Sequence, residues 1–189
     1  MGTSITARYE KTLDGRRIID VTIDKIEELY DRFDSIASYK KKDLDEEFVE
    51  YLSQCAKELK NQDFLLRINM QEEETKSKTD RLRSSIHHYF AYLQELERRQ
   101  IKKHLTRACC LLGLGITLVF ISLSLGARYD DVHSILKDIG IEGVTIVAWV
   151  SVWEAATDLI FEWWPHFQRG KRYEKIAASE ILFRHIPQQ

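Results

Sequence analysis

The feature that most constrains this chain is an uncharged run of twenty residues from Ala108 to Ala127, which reads "ACCLLGLGITLVFISLSLGA". At a rise of about 1.5 Å per residue, a helix of that length spans a bilayer hydrocarbon core of roughly 30 Å. A chain of 189 residues has room for such an anchor and one small domain. The run therefore predicts a transmembrane helix over residues 108–127.

A second apolar stretch extends from Gly143 to Trp164 and predicts another transmembrane helix over residues 143–164. Its first half, "GVTIVAWVSVW", carries no charge. Its second half contains Glu154, Asp158 and Glu162, which recur every four residues and therefore lie on one face of a helix. These carboxylates are the part of the stretch that a membrane helix does not explain by itself.

Charges on either side of the two stretches predict their orientation. Lysine and arginine are abundant before the first stretch and after the second, whereas acids outnumber bases in the connection. Because basic flanks remain in the cytoplasm, both termini are predicted to be cytoplasmic, with the protein in the plasma (inner) membrane. The connection itself predicts a short amphipathic surface helix that ends at Gly140. The predicted anchors at the inner interface are Trp163, Trp164, Arg107 and Arg169.

Two segments upstream of the membrane stretches alternate apolar and polar residues, as half-buried strands do: Arg16–Ile23 and Asp63–Met70. Asp14 followed by Gly15 is a strong two-residue turn signal, so a further strand before it could pair with the first. These segments predict a sheet of two or three strands.

Two helices are predicted between those strands, because each has the start signal of a capping box. Asp24 with Glu27 precedes "IEELYDRF", and Asp43 with Glu46 precedes "FVEYLSQCAKEL". The upstream part of the chain is thus a small α+β domain, which is too small to build a large core alone.

The membrane helices are predicted to continue into the cytoplasm as two packed arms. Apolar residues after Thr79 recur in steps of four and three, and a matching stripe follows Pro165, where a kink is expected. Placing Ala108 opposite Glu162 brings the two stripes together.

The predicted fold class is therefore a small cytosolic α+β domain followed by a long antiparallel helical hairpin with two transmembrane helices. The predicted boundaries are the α+β domain at 1–70, a linker at 71–78, a stalk helix at 79–107, transmembrane helix 1 at 108–127, an extracytoplasmic loop at 128–142, transmembrane helix 2 at 143–164 and a returning stalk helix at 165–189.

The order of several segments resembles an uncharacterised prokaryotic family of small two-span membrane proteins with an N-terminal cytosolic domain. These segments are "RRIIDVTI", "DLDEEFVEYL", "HHYFAYLQELERR", one apolar span, and a second span that ends in "WWP". The resemblance covers roughly residues 16–185. It implies an architecture, and it supplies neither an activity nor catalytic residues.

The candidate functional site is an intramembrane polar site formed by Glu154, Asp158 and Thr117, with Thr117 predicted level with Glu154. A charge near the bilayer centre costs at least about 2.5–3.5 kcal/mol, so such a group normally faces protein or water. One interpretation is a ring of carboxylates in an oligomer that conducts cations or protons. The other is that Asp158 and Glu162 lie at the inner membrane boundary among basic flanks, while the deeper Glu154 is protonated or hydrogen-bonded by Thr117 or Ser151. A small-residue face of Cys109, Gly113 and Thr117 predicts close helix packing.

Other classes of site find no support in the sequence. The histidines His87 and His88 are adjacent and point about 100° apart on a helix, so no metal site is predicted from them. No cofactor, catalytic or phosphate-binding motif is recognised, and the chain is predicted not to be an enzyme. The net charge of −2 gives no reason to expect nucleic-acid binding.

The function predicted from the sequence is that of an integral membrane protein, a non-enzymatic, membrane-anchored oligomeric scaffold or sensor module. Its expected partners are the lipid bilayer, further copies of the same chain and a cytosolic protein. The alternatives are an oligomeric cation or proton channel that uses the acids of the second span, and a defence effector that perturbs the membrane.

Overall fold

The computed structural model of the chain describes residues 5–30, 44–60, 62–72, 74–128 and 135–186. It divides into two units, of which the first combines residues 1–95 with 169–189 and the second comprises residues 96–168. We call them the sheet unit and the helix-pair unit. The elements in chain order are strand β1 (Arg17–Ile23), helix α1 (Glu46–Leu59), strand β2 (Phe64–Met70), helix α2 (Lys76–Arg128), helix α3 (Ile135–Thr157), helix α4 (Trp163–Ala178) and strand β3 (Glu180–His185).

The sheet unit contains three parallel strands in the order β1-β2-β3. Parallel neighbours need long crossover connections, and both connections here contain helices. In the central row, Ile19 pairs with Leu66, and Leu66 pairs with Ile181. These side chains belong to one apolar core, to which α1, the start of α2 and the end of α4 contribute Leu52, Cys55, Leu59, Leu82, Ile86, Phe90 and Ile176. The structure therefore confirms a small sheet with helices, and its strands are parallel.

The third strand does not come from the segment upstream of Asp14, where the sequence left one open. The prediction that residues 165–189 form a helix is wrong for the end of that range. Instead α4 ends at Ala178, Ser179 turns back to hydrogen-bond the Ile176 carbonyl, and β3 pairs with β2 along its free edge. The apolar residues after Ala178 fit a helical stripe and a strand equally well, and the unpaired edge of β2 decides between them. The 1–70 domain is accordingly incomplete without the chain end.

Near the N-terminus the predicted turn forms without the predicted strand. Gly15 has a φ of 84°, a left-handed conformation that suits glycine, and it joins Thr12 to Arg16 through a backbone hydrogen bond of 2.9 Å. The segment before it makes an isolated antiparallel bridge from Lys11 to Arg17, and residues 5–8 form a 3-10 turn. Among the described residues, the predicted hairpin thus forms one isolated bridge beside its turn.

Both helix-start predictions need correction. The side chain that caps α1 is Asp45, which accepts a hydrogen bond of 3.1 Å from the Phe48 amide; Asp43 lies outside the described residues. After Asp24 the structure has only a 3-10 turn over Ile26–Leu29, and the residues from 31 to 43 are not described. The spacing of acids identified the neighbourhood of each start, but not the capping residue.

One face of the sheet carries a charged network in place of a core. The guanidinium of Arg67 donates to both carboxylate oxygens of Asp20, at 2.5 and 2.8 Å, and to Glu10 at 2.5 Å. These hydrogen bonds hold the pKa of Asp20 below its usual range, against the opposing effect of its partial burial. The network ties the N-terminal segment to β1 and β2.

The helix-pair unit is built on a seam of small residues. Ala108 of α2 is fully buried. Seven residues later comes Gly115, where an added Cβ would lie 2.8 Å from Val152 Cγ2 and 3.1 Å from the Ala148 carbonyl oxygen. A further seven residues on, Ser122 shares a hydrogen bond of 2.8 Å with Thr145. A seven-residue spacing keeps small side chains on one line between two packed helices.

This seam replaces the packing face predicted over Cys109, Gly113 and Thr117. Cys109 is exposed, a Cβ added at Gly113 would meet nothing within 4 Å, and Thr117 donates to the Gly113 carbonyl of its own helix. Both sets of residues are small, and they lie on different faces of α2. Composition alone does not say which face meets the partner helix.

The connection between the apolar helices also differs from the prediction. Helix α3 begins at Ile135 and runs through Gly140 without a break, while residues 129–134 are not described. The short surface helix that was predicted to end at Gly140 is thus partly absorbed into α3. Glycine lowers helix stability by only about 1 kcal/mol, which the apolar residues around it outweigh.

A wider, π-helical turn over Asp158–Glu162 separates α3 from α4. Pro165 follows in the first turn of α4, and its ring nitrogen has no hydrogen to donate to the carbonyl four residues earlier. The extra residue of a π turn accommodates that lost hydrogen bond. The predicted kink at Pro165 is therefore realised as a wide turn just before it.

Two helical stretches, Lys76–Ala127 and Ile139–Ala178, are long and apolar enough to cross a membrane. In their most apolar windows only 17% and 22% of the residues are buried. Large apolar side chains are instead exposed on both, including Ile116, Phe120, Leu123, Ile146, Trp149, Val150, Trp153, Ile160 and Phe161.

Substituting Gly115→Ala tests the seam, because the new methyl group meets backbone and side-chain atoms of α3. We expect a loss of about 1–3 kcal/mol in the stability of the helix pair, as for other overpacked contacts. The matched control is Gly113→Ala, which faces open space and should be neutral or slightly stabilising. Thermal unfolding followed by circular dichroism in detergent measures both. Equal effects of the two substitutions would contradict the seam.

Candidate functional site

Six ionisable side chains lie together in the helix-pair unit at the charged end of the apolar run. Glu97, His104 and Arg107 come from α2, and their spacing of seven and three places them on one helical face. The facing residues are Glu154 of α3, Asp158 of the π-helical turn and His166 of α4. We call these six residues the charged cluster.

Each histidine of the cluster is held by a carboxylate. His166 Nδ1 lies 2.6 Å from Glu97 Oε2, and His104 Nδ1 lies 3.4 Å from Asp158 Oδ1. The two imidazole rings stack on each other, with centroids 5.5 Å apart and planes inclined by 28°. The stack joins two carboxylate–histidine pairs into one group.

Arg107 completes the cluster. Its Nε lies 3.4 Å from Asp158 Oδ2, and its Nη2 lies 3.3 Å from Glu154 Oε2. One guanidinium therefore bridges two carboxylates that are four residues apart on the other helix. Bridging of this kind suits arginine, whose planar fork of donors reaches two acceptors at once.

Burial increases from one side of the cluster to the other. The side chains of Arg107 and Glu154 are more than half exposed, whereas Asp158 is only 3% exposed. Among the acidic and basic residues that the structure describes, Asp158 is the most deeply buried. Its Oδ2 makes no hydrogen bond within the described residues and relies on the guanidinium beside it. Asp158 is thus the side chain that most needs the rest of the cluster.

The local backbone explains why Asp158 occupies this position. It opens the π-helical turn that compensates for Pro165, and such turns widen the helix by one residue. Residues of α3 before the turn pack along the small-residue seam. His166, after the turn, faces Glu97. The turn therefore lets both Asp158 and His166 face α2.

The predicted register of the two helices differs from the one in the structure. It placed Ala108 opposite Glu162 and Thr117 level with Glu154. In the structure, Glu154 meets Arg107, the residue immediately before Ala108. Thr117 makes its hydrogen bond within α2 and is not part of the site. The charge pairs and the seam together select the observed register.

The other predicted site residues are distributed as follows. Trp163 and Trp164 contact each other at 5.6 Å between ring centroids, and both contact Phe167. Arg107, predicted as an interface anchor, belongs to the charged cluster, and Arg169 belongs to the sheet unit. Glu162 is exposed within the π-helical turn.

Sequence reasoning missed the role of Glu97, His104 and His166. The signal for Glu97 and His104 was their seven-residue spacing. It places them on the same face of α2 as Ala108 and Gly115 of the seam. For His166, Pro165 concealed the signal, because the π-helical turn shifts the helical phase by one residue.

The charged cluster holds three carboxylates against one guanidinium, with two imidazoles beside them. Within the described residues, no three histidine, cysteine or acidic side chains are grouped to hold a metal ion. In the sheet unit, His87 Nδ1 lies 2.5 Å from the Ala177 carbonyl oxygen, and His88 is exposed.

Comparisons of the chain with protein-family models, with curated protein sequences and with solved structures found no match. The resemblance to small two-span membrane proteins therefore stays a prediction.

The substitution Arg107→Gln tests the cluster by removing the cation beside the buried Asp158. We expect a loss on the order of 1–3 kcal/mol in the stability of the helix pair, because a buried carboxylate oxygen loses its partner. Lys103→Gln is the matched control, since it removes an exposed cation one turn away and should have little effect.

Thermal unfolding in detergent measures both variants, and adding Asp158→Asn to Arg107→Gln should recover part of the loss. If Arg107→Gln behaves like Lys103→Gln, or if Asp158→Asn gives no recovery, the assigned contact is incorrect.

Proposed function

We propose that the chain is a two-span integral membrane protein of the plasma (inner) membrane that acts as a non-enzymatic, membrane-anchored scaffold or sensor. The observation that carries this proposal is the exposure of large apolar side chains along both apolar helices. The core helix of a soluble protein hides such side chains, whereas lipid replaces that cover in a bilayer. The exposed tryptophans Trp149 and Trp153, at 69% and 75%, are the strongest instances.

The contacts between the helices support an antiparallel hairpin. Ser122 meets Thr145, Gly115 meets Ala148 and Val152, and Arg107 meets Asp158. Later positions in α2 thus contact earlier positions in α3. Such an order follows when a chain crosses the bilayer, turns and crosses back.

The charge distribution supports the orientation. The charged cluster and the basic residues around Arg107 lie beside Ala108, where the apolar run of α2 begins. Basic flanks mark the cytoplasmic side, so both termini and the sheet unit are assigned to the cytoplasm. The contacting rings of Trp163, Trp164 and Phe167 suit the interface on that side.

The chain connectivity supports a scaffold or sensor. Strand β2 precedes the inserted helix-pair unit and β3 follows it, yet the two strands pair directly. Within the sheet unit the arms also meet, with Phe90 and Tyr173 ring centroids 6.0 Å apart. A change in how the two arms approach each other would therefore act on the sheet. A cytosolic protein is the partner we propose for the sheet unit.

Homo-oligomerisation is part of the same proposal. Within the described residues, Cys109 on the α2 face with Gly113 and Thr117 is exposed, and a Cβ added at Gly113 would meet nothing within 4 Å. Small residues on a membrane helix permit the close approach of a second helix. A second copy is therefore the proposed partner of this face.

The proposed topology is tested by labelling single cysteines in intact cells. In a protein whose three native cysteines are replaced by serine, Ser134→Cys should react with a membrane-impermeant maleimide from outside. Lys11→Cys should react only after permeabilisation, because the N-terminus is inside. Labelling of Lys11→Cys in intact cells, or release of the protein by alkaline carbonate, would refute the proposal.

A proton or cation pathway is the second candidate, and the buried Asp158 beside two histidines favours it. In the single chain, however, Arg107 already pairs with Asp158.

Ion flux into liposomes separates the two functions. A scaffold or sensor should give no flux above that of empty liposomes. Flux by the native protein that Glu154→Gln and Asp158→Asn abolish, with helix content unchanged, would establish the pathway in its place.

A further inference from the structure

The face of α2 that lies away from His104 and Ala108 carries a concentration of positive charge. Its five cations precede the uncharged run directly, all are exposed, and we call them the basic face: Arg98, Arg99, Lys102, Lys103 and Arg107. Their spacing places them on one half of the helix, whereas Glu97, His104 and Ala108 occupy the other half. Arg107, at the edge of this face, also belongs to the charged cluster.

Two shallow grooves run along this face, with volumes of 510 and 490 Å³. Cationic side chains lie on both, including Lys102, which they share. The first groove also has an apolar lining from Ile101, Leu105 and Cys109. A ligand that fits such grooves combines an anionic group with a hydrocarbon part.

The position of the face along the helix matches a lipid headgroup. Lys102 and Lys103 lie about 8 Å along the helix from Ala108. The headgroup zone extends roughly 5–8 Å beyond the hydrocarbon core on each side. Long basic side chains place their charge in that zone while their stems remain on apolar surface.

We propose that the basic face binds anionic phospholipid headgroups of the cytoplasmic leaflet, an inference that rests on the proposed membrane insertion. Each lysine or arginine near an anionic membrane surface contributes about 1 kcal/mol. The apolar groove lining and the adjoining apolar run favour a lipid over a nucleic acid, which would offer the phosphate without the acyl chain. Binding there selects the lipid composition around the protein and opposes movement of α2 along the membrane normal.

The test measures lipid affinity for detergent-solubilised full-length protein. Titration with phosphatidylglycerol or phosphatidylcholine, read by native mass spectrometry, gives the preference for the anionic lipid. Lys102→Gln combined with Lys103→Gln should reduce that preference on the order of 30-fold, as the loss of two such charges implies. Lys102→Arg combined with Lys103→Arg should retain it.

A matched control removes two exposed lysines from the sheet unit, Lys11→Gln with Lys57→Gln, and should leave the preference unchanged. Arg107 is left intact in every variant because it holds Asp158. Circular dichroism confirms that helix content is equal across the set.

Two outcomes would overturn the inference. One is equal affinity of the native protein for both lipids, or equal losses in the Lys102/Lys103 variant and the control. The other is that short duplex DNA displaces phosphatidylglycerol, which would assign the face to nucleic acid. Carbonate extraction keeps the two proposals separate: a protein that stays in the membrane without preferring anionic lipid contradicts this inference alone.

Discussion

The close approach of α2 to α3 at Gly115 is the constraint on which the helix-pair unit depends. Only a residue without a side chain fits against Val152 and the Ala148 carbonyl. That contact sets the register of the two helices, and the register in turn places Ser122 beside Thr145 and Arg107 beside Asp158. A shift by one residue would rotate these partners away from each other, so one glycine governs contacts at both ends of the apolar run.

The charged cluster shows how the unit tolerates a buried acid. Removing a carboxylate from water is expensive, and the cost is offset only when opposite charge and hydrogen bonds are supplied together. Asp158 receives a guanidinium from Arg107 and an imidazole from His104, and the stacked His166 is itself held by Glu97. Half of these groups lie on each of the facing helical arms. The cluster thus links the two arms where the uncharged run ends.

The sheet unit depends on a different long-range contact, the pairing of β2 with β3. The chain leaves the sheet at Met70, passes through the entire helix-pair unit and returns at Glu180. Residues 1–70 supply two strands and α1, but the core also needs Ile86 and Phe90 from α2 and Ile176 and Ile181 from the end of the chain. A domain boundary placed at residue 70 therefore divides a single core.

The sequence by itself determined the features that depend on local pattern. Spacing, length and residue type are enough to predict the two apolar helices, strands β1 and β2 and the turn at Gly15. They also predict that Pro165 interrupts the regular helix. Of the candidate site, it identified Glu154, Asp158 and Arg107 as important without pairing them. Only the tertiary structure decided the helix register, the π-helical turn, the inclusion of His104 and His166, and the third strand. Each of these depends on contacts between residues far apart in the chain, and small or charged residues on several faces of a helix satisfy local rules equally well until a partner selects one face.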